Sequence, residues 1–182
     1  MLLYVVRHGQ TDYNIKKLFQ GRTDVPLNGI GVEQAKETAK YFKDKKVDAI
    51  LVSPLTRAKQ TASYISDVTK VDPKCDERLI ERCFGNMEGK PNNSKLNIKV
   101  FLDYNKQFDK ENVEPIQDLF KRVYTYLDEI KEKYNDKSVV LVTHGSVSIP
   151  IECYFKGIPE PANFDTLDKL VLKNCEVRKY EI

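Results

Sequence analysis

Two short apolar segments, one at the start of the chain and one near its end, each lead into a His-Gly pair. Residues 2–6 run into Arg7-His8-Gly9, and residues 139–143 run into His144-Gly145. Continuous apolar runs rich in β-branched residues are typical of strands buried on both faces. In an open α/β sheet, ligands bind beyond the carboxyl ends of the strands. Since the chain has only two histidines, the pattern predicts two strand ends that share one site.

The segments between the apolar runs have the periodicity of amphipathic helices. One helix is predicted after the N-cap residue Asn28, a second with Pro54 near its first turn, and a third from Pro115. A fourth is expected over residues 146–154, where Pro150 would kink or shorten it. Alternation of strands and helices predicts a three-layer α/β/α fold around a mostly parallel central sheet.

The remaining segments complete the predicted domain organisation. The length favours a single domain over residues 1–182, with a small, partly helical excursion at about 90–114. Tyr104 and Phe108 lie in that excursion, as candidates to fold over the site. Alternating residues after position 170 predict a terminal hairpin, which would place one antiparallel strand at the sheet edge.

Composition excludes several classes of function. The 30 basic and 27 acidic residues leave a formal charge of +3, which is too small to indicate nucleic-acid binding. No apolar stretch has the length of a membrane span, and the first residues lack the pattern of a signal peptide. The four cysteines are far apart and the histidines few, so we expect free thiols and no metal site. These features predict a cytoplasmic protein without nucleic-acid or membrane partners.

A third apolar run, residues 49–52, predicts another buried strand that ends at Ser53-Pro54. The chemistry of the three predicted strand ends suits a tetrahedral anion. They bring together Arg7 and His8, Arg57 in the first turn of its helix, and His144. Arginine forks and helix N-termini both bind phosphate oxygens. Taken singly, Arg57 could be a solvated arginine and His144 a packed histidine. The chain has no P-loop, dinucleotide-binding glycine motif, Asp cluster for magnesium or phosphate-cradling cysteine loop, which leaves histidine as the candidate nucleophile.

Five segments of the chain resemble, in order, the motifs of the histidine phosphatase superfamily, which includes the cofactor-dependent phosphoglycerate mutases. They are Arg7–Asn14, Gly21–Leu27, Ser53–Ala58 together with Thr61-Ala62, Leu79–Gly89, and Thr143–Gly145. The chain departs from the usual family pattern at Met87, Ser146 and Glu114-Pro115, positions that concern packing and the pocket wall more than phosphate binding.

The resemblance implies a role for each matching residue. His8 would be the nucleophile, and Arg7, Arg57 and His144 would bind the phosphoryl oxygens. Glu81 would be the general acid that protonates the leaving oxygen, whereas Glu88 is interpreted as structural. Further phosphate or substrate contacts would come from Asn14, Gln20, Gly21 and Thr23, although Asn14 could instead only cap a turn. The resemblance implies neither a metal nor another cofactor.

Resemblance and residues together predict a phosphomonoester hydrolase that acts through phosphohistidine on a small phosphorylated metabolite. A phosphoglycerate mutase is the alternative, but the 90–114 region is short and lacks a basic cluster for a bisphosphorylated acid. A non-catalytic phosphate-binding protein is less favoured, because a binder would not need the acid Glu81. The predicted partner is a small-molecule phosphate ester, and the oligomeric state is left open.

Overall fold

The computed structural model describes residues 1–92, 102–103, 112–160 and 164–182. Within them, the strands are β1 (Leu2–Arg7), β2 (Ala49–Val52), β3 (Pro73–Cys75), β4 (Ser138–Thr143) and β5 (Val177–Glu181). The helices are α1 (Asp12–Ile15), α2 (Gly29–Phe42), α3 (Thr56–Thr69), α4 (Ile116–Lys133), α5 (Gly145–Lys156) and α6 (Phe164–Asp168). Two 3₁₀ turns cover Glu77–Leu79 and Gly85–Met87.

In the described residues the strands form one sheet in the order β3-β2-β4-β1-β5. Strands β1 to β4 are parallel, and β5 pairs antiparallel with β1 at the edge. In the register of β1 and β4, Arg7 lies opposite Thr143. The residues that follow, His8 and His144, therefore leave neighbouring strands at the same edge of the sheet.

Alternate residues of the central strands face two separate apolar cores. Leu3 and Leu141 pack with α4 and α5 on one face, whereas Val6 and Val142 pack with α2 and α3 on the other. Because a parallel sheet must bury both faces, this alternation produces three layers. The predicted α/β/α class, with its mostly parallel sheet and antiparallel edge strand, is confirmed.

Side-chain capping marks the starts of α1 and α2. The Asn28 side chain accepts a hydrogen bond from the Gly31 N–H, as predicted for the start of α2. The segment after Thr11 begins with the short helix α1. There the Thr11 hydroxyl and the Asn14 amide each accept a bond from the other's backbone N–H, in a capping box.

Two predicted local features are wrong. Pro150 neither ends nor shortens α5, which continues to Lys156; a proline near the start of a helix removes only one N–H bond, and apolar packing on both sides of it retains the helix. The C-terminal hairpin is absent from the described residues, because residues 170–172 form no strand and only β5 pairs with the sheet.

Most of the excursion predicted at about 90–114, including Tyr104 and Phe108, lies outside the described residues. No helix in the described part of the chain combines the length and apolar character needed to cross a bilayer.

Candidate active site

The two histidines meet at the carboxyl edge of the sheet. The centroids of the His8 and His144 rings are 5.1 Å apart, and the rings are tilted by 57°. His8 is 2% exposed and His144 is completely buried. The backbone N–H of His8 donates to the carbonyl oxygen of Thr143 at 3.0 Å, which continues the β1–β4 ladder to the site.

The hydrogen bonding of His8 fixes its tautomer. Its Nδ1 lies 2.7 Å from the carbonyl oxygen of Gly9. A carbonyl only accepts, so Nδ1 carries the proton and Nε2 keeps a lone pair when the ring is neutral. Burial lowers the pKa of His8 well below its ordinary value, and the charges of Arg7 and Arg57 add to this effect. His8 is therefore a neutral imidazole with its nucleophilic nitrogen available.

The backbone after His8 is held by close contacts that admit no side chain at Gly9. A Cβ on Gly9 would lie 2.5 Å from the carbonyl oxygen of Gly31, in the first turn of α2. The N–H of Gly9 donates to the hydroxyl of Thr61 at 3.1 Å, and that hydroxyl donates to the carbonyl oxygen of Arg57 at 2.8 Å. Helices α2 and α3 thus fix the backbone next to His8, the predicted nucleophile.

His144 is held from the neighbouring strand β2. Its Nε2 is 2.6 Å from the hydroxyl oxygen of Ser53, the residue directly after β2. Its Nδ1 is buried and has no hydrogen-bond partner among the described residues. Burial lowers the pKa of His144 well below its ordinary value, with further contributions from the charges of Arg57 and Arg7. Two neutral imidazoles therefore lie side by side, close to two cations.

Both predicted arginines bind backbone carbonyls through their terminal nitrogens. Arg7 Nη1 donates to the carbonyl of Leu172 at 2.7 Å, while Arg57 donates from Nη1 to the carbonyl of Thr23 at 2.9 Å and from Nη2 to that of Gly21 at 2.7 Å. The Nε atoms of both arginines are buried without a partner in the described part of the structure. Burial lowers the pKa of each guanidinium. Because a buried donor without a partner costs about 1–3 kcal/mol, these atoms suit an anionic ligand.

Glu81 lines the same cavity as Arg7, and this cavity has a volume of about 280 Å³. Its carboxylate accepts a bond from the Arg82 N–H at 2.9 Å and a longer one from the Ser146 N–H at 3.4 Å. Glu81 is 8% exposed. The carboxyl group is therefore oriented by two backbone donors, one of them in the first turn of α5, and still reaches the cavity.

The predicted loop contacts divide into two groups. Asn14, Gln20 and Gly21 line the cavity beside Arg7. The Thr23 hydroxyl instead donates to a Glu88 carboxylate oxygen at 2.6 Å. Asn14 also closes the capping box of α1. It therefore both caps the helix and lines the cavity.

Three supporting residues were assigned no role from the sequence, although Ser53 and Thr61 belong to one of the five motifs. Ser53 was recognisable, because it is the first residue after a predicted strand. Thr61 lies one helical turn after Arg57. Asn174 gave no local signal, yet its side-chain amide donates to the carbonyl of His8 at 3.0 Å and to Asn14 Oδ1 at 3.3 Å. It acts across 166 positions of the chain.

The buried histidines predict a pH dependence of stability. Unfolded histidine protonates near pH 6.5, whereas the folded pKa values of His8 and His144 lie well below this. Below pH 6.5 the unfolded chain thus binds more protons, and the free energy of unfolding falls as pH falls. Between pH 7.5 and pH 5.5 each histidine should lower the free energy of unfolding by about 1.4 kcal/mol.

Urea unfolding of the wild type, His8→Ala and His144→Ala in phosphate-free buffer at both pH values measures this effect. Over this pH range the free energy of unfolding should fall by about 1.4 kcal/mol less in each variant than in the wild type. The carboxyl groups contribute equally in all three proteins, so they cancel in the comparison. Equal losses in all three proteins would mean that the folded histidines titrate normally.

Comparison with known proteins identifies the family. Residues 3–182 match the model of the histidine phosphatase superfamily (branch 1). A protein of Hydrogenobacter thermophilus with the provisional name phosphoserine phosphatase 2 is 39% identical over 161 residues, which are 86% of this chain and 79% of the relative. A probable phosphoglycerate mutase GpmB of Yersinia pestis is 28% identical and covers 98% of this chain and 84% of its own length.

A solved structure gives the same result. The phosphoserine phosphatase of Entamoeba histolytica in complex with 3-phosphoglyceric acid superposes with a TM-score of 0.82 at 29% identity, over 98% of this chain and 89% of that one. The match over nearly the whole length confirms the resemblance indicated by the five motifs. The chain belongs to the histidine phosphatase superfamily, branch 1, and is an enzyme of that superfamily.

Proposed function

We propose that the protein hydrolyses phosphomonoesters through a phosphohistidine at His8, without a metal ion. The observation that carries this proposal is the bond from His8 Nδ1 to the Gly9 carbonyl, which leaves Nε2 as a neutral nucleophile. In the first step Nε2 forms a bond to phosphorus while the ester P–O bond breaks and its electron pair leaves with the oxygen. In the second step water attacks phosphorus and the P–N bond breaks.

The transferred phosphoryl group would be held by donors that have no other partner among the described residues. We assign this to Arg7 Nε, Arg57 Nε and His144 Nδ1. For His144, the Ser53 hydroxyl would donate to Nε2, so that the ring proton resides on Nδ1. The oxygen of the Asn14 amide accepts from Thr11 and Asn174, which leaves its NH₂ group to donate to the same phosphate.

Glu81 supports a hydrolase over a simple binder. Its position on the cavity wall next to Arg7 suits protonation of the leaving alkoxide in the first step. As a carboxylate it can then take a proton from the attacking water. General acid–base assistance of this kind contributes about 10²–10⁴ in rate.

The rest of the cavity wall includes two polar side chains that suit a leaving group with hydrogen-bond donors. The other residues of this part of the wall are mostly apolar: Leu18, Phe19, Phe84, Leu102, Ile149 and Val171. The two polar residues are Asn92 and Asp168, and Asn92 Oδ1 is buried without a partner in the described residues. Both side chains accept hydrogen bonds, so they suit a leaving group that bears hydroxyl or ammonium donors. Phosphoserine, after which two relatives are named, has this chemistry, and we propose it as the first substrate to test.

Charge balance on the wall favours water over a second phosphorylated acid as the acceptor. In the described part of the wall, Arg7 and Arg82 are matched by Glu81 and Asp168, so that Arg57 is the one cation in excess and serves the single transferred phosphoryl group. A mutase must retain a bisphosphorylated carboxylate between its two transfers, which calls for an excess of cations. We therefore propose phosphatase activity ahead of mutase activity.

A metal-free substrate screen tests this function. Purified protein in EDTA is given phosphoserine, 3-phosphoglycerate and p-nitrophenyl phosphate, and both free phosphate and 2-phosphoglycerate are measured. We expect phosphate release from phosphoserine and no isomerisation of 3-phosphoglycerate, since water resolves the phosphoenzyme. Isomerisation faster than phosphate release would establish the mutase instead, and activity restored only by a divalent cation would refute the metal-free mechanism.

A further inference from the structure

Glu88, interpreted from the sequence as merely structural, binds four donors with one carboxylate. Oε1 accepts from the N–H groups of Arg22 at 3.0 Å and Phe84 at 3.1 Å. Oε2 accepts from the N–H of Thr23 at 2.8 Å and from the Thr23 hydroxyl at 2.6 Å. Each carboxylate oxygen therefore has two donors, and three of the four donors are backbone amides. Charge-assisted bonds of this kind are about twice as strong as neutral ones.

The loop that Glu88 binds is the loop that holds Arg57. The carbonyls of Gly21 and Thr23 accept from Nη2 and Nη1 of Arg57. Arg57 is completely buried, and these two carbonyls take up both ends of its guanidinium fork. The plane of the guanidinium, and hence the direction of its Nε–H, is set by where the loop lies.

Gly21 is required for this arrangement. Its φ is +53°, a left-handed conformation that favours glycine. A Cβ at this position would lie 2.0 Å from Glu88 Oε1. The close approach of the carboxylate to the loop backbone thus depends on the missing side chain.

The loop has a second attachment, directly to the helix that carries Arg57. Asp24 accepts from the N–H and the hydroxyl of Thr56, both at 2.7 Å. Helix α3 therefore holds one end of the loop and Glu88 holds the other. Loss of Glu88 would free residues 21–23 while leaving the helix in place, which would move the two carbonyls relative to Arg57.

We propose that Glu88 is a positioning residue, which orients Arg57 for phosphoryl transfer by fixing the carbonyls of residues 21–23. The inference rests on the proposed function, because it gives Arg57 a part in binding the transferred group. Both carboxylate oxygens of Glu88 are already occupied by four donors of the protein, so Glu88 acts through Arg57 and not on the substrate. A displacement of about 1 Å in such a group can reduce activity about 100-fold.

A double-mutant cycle tests the inference. We measure kcat/KM for p-nitrophenyl phosphate and the inhibition constant of orthovanadate, an analogue of the pentacoordinate transition state, in the wild type, Glu88→Ala, Arg57→Ala and the double variant. Glu88→Ala should lose about 10- to 100-fold in kcat/KM and in vanadate affinity. In Arg57→Ala, kcat/KM and vanadate affinity should each fall by about 10²–10³-fold. The double variant should match Arg57→Ala within about twofold, because Glu88 has nothing left to position.

The outcomes separate the two proposals. If the two losses multiply in the double variant, Glu88 acts independently of Arg57 and the inference is overturned. If Arg57→Ala itself leaves kcat/KM and vanadate affinity unchanged, Arg57 does not bind the transferred phosphoryl group and that part of the proposed function is wrong. Should Glu88→Ala fail to fold, Glu88→Gln replaces it in the double-mutant cycle. The glutamine places an NH₂ donor where the carboxylate oxygen accepted backbone N–H bonds, so it also releases the loop.

Asp48 provides a matched control. Its carboxylate also accepts a backbone bond, from the N–H of Ser138 at 2.8 Å, at the start of β4 and so at the opposite end of the sheet. Asp48→Ala should lower the melting temperature while leaving kcat/KM and vanadate affinity within about twofold of wild type. A loss in Asp48→Ala as large as that in Glu88→Ala would mean that general destabilisation explains both.

Discussion

Replacing His8 with alanine is expected to abolish turnover of phosphate esters and to prevent formation of an acid-labile phosphoenzyme. Only His8 combines a free Nε2 with a proton fixed on Nδ1 by a backbone carbonyl. Without it the reaction loses its covalent route, and kcat/KM should fall by about 10⁴-fold or more. Rapid quenching with ³²P-labelled substrate, followed by acid and alkaline treatment, measures the intermediate directly.

His144→Ala is the matched comparison, because His144 has the same sequence context and nearly the same burial. This variant retains the proposed nucleophile and loses a donor to the phosphate. Its kcat/KM should therefore fall by about 10²–10³-fold. The phosphoenzyme should therefore still form, but more slowly. Phosphoenzyme in His8→Ala and none in His144→Ala would reverse the two assignments.

The sheet was predictable because its signals are local. Apolar runs and helical periodicity located β1, β2, β4 and the helices between them, and parallel pairing then places His8 beside His144. The hairpin prediction failed at residues 170–172, where an apolar run packs against α5 and the backbone instead binds a side chain: the N–H of Leu172 donates to the hydroxyl of Ser148. Such a contact has no counterpart in sequence periodicity.

The supporting contacts of the site were not predictable, for a related reason. Asn174 reaches the carbonyl of His8 from the end of the chain, and Glu88 reaches the 21–23 loop across 65 or more positions. Residue type reveals which groups can do chemistry, but the choice of partner depends on the assembled sheet. The family motifs found Glu88 as part of a segment without disclosing what its carboxylate binds.

Glu81→Gln is expected to distinguish substrates by the basicity of their leaving groups. An alkoxide needs a proton as the P–O bond breaks, so kcat/KM for phosphoserine should fall by about 10²–10⁴-fold. p-Nitrophenolate is a far weaker base and leaves without help, so its kcat/KM should fall much less. Because kcat/KM reports steps up to the first irreversible one, it isolates formation of the phosphoenzyme from its hydrolysis.

The second role of Glu81 predicts a further signature with p-nitrophenyl phosphate. If the carboxylate also activates water, Glu81→Gln should release a burst of one p-nitrophenolate per site and then turn over slowly, with phosphohistidine accumulating at His8. Glu77→Gln removes an exposed carboxylate four positions earlier and should change neither substrate's kinetics. Equal losses of kcat/KM for both substrates in Glu81→Gln would remove Glu81 from the acid role. Unequal losses without a burst would limit it to the first step, since another group would then have to deprotonate the water.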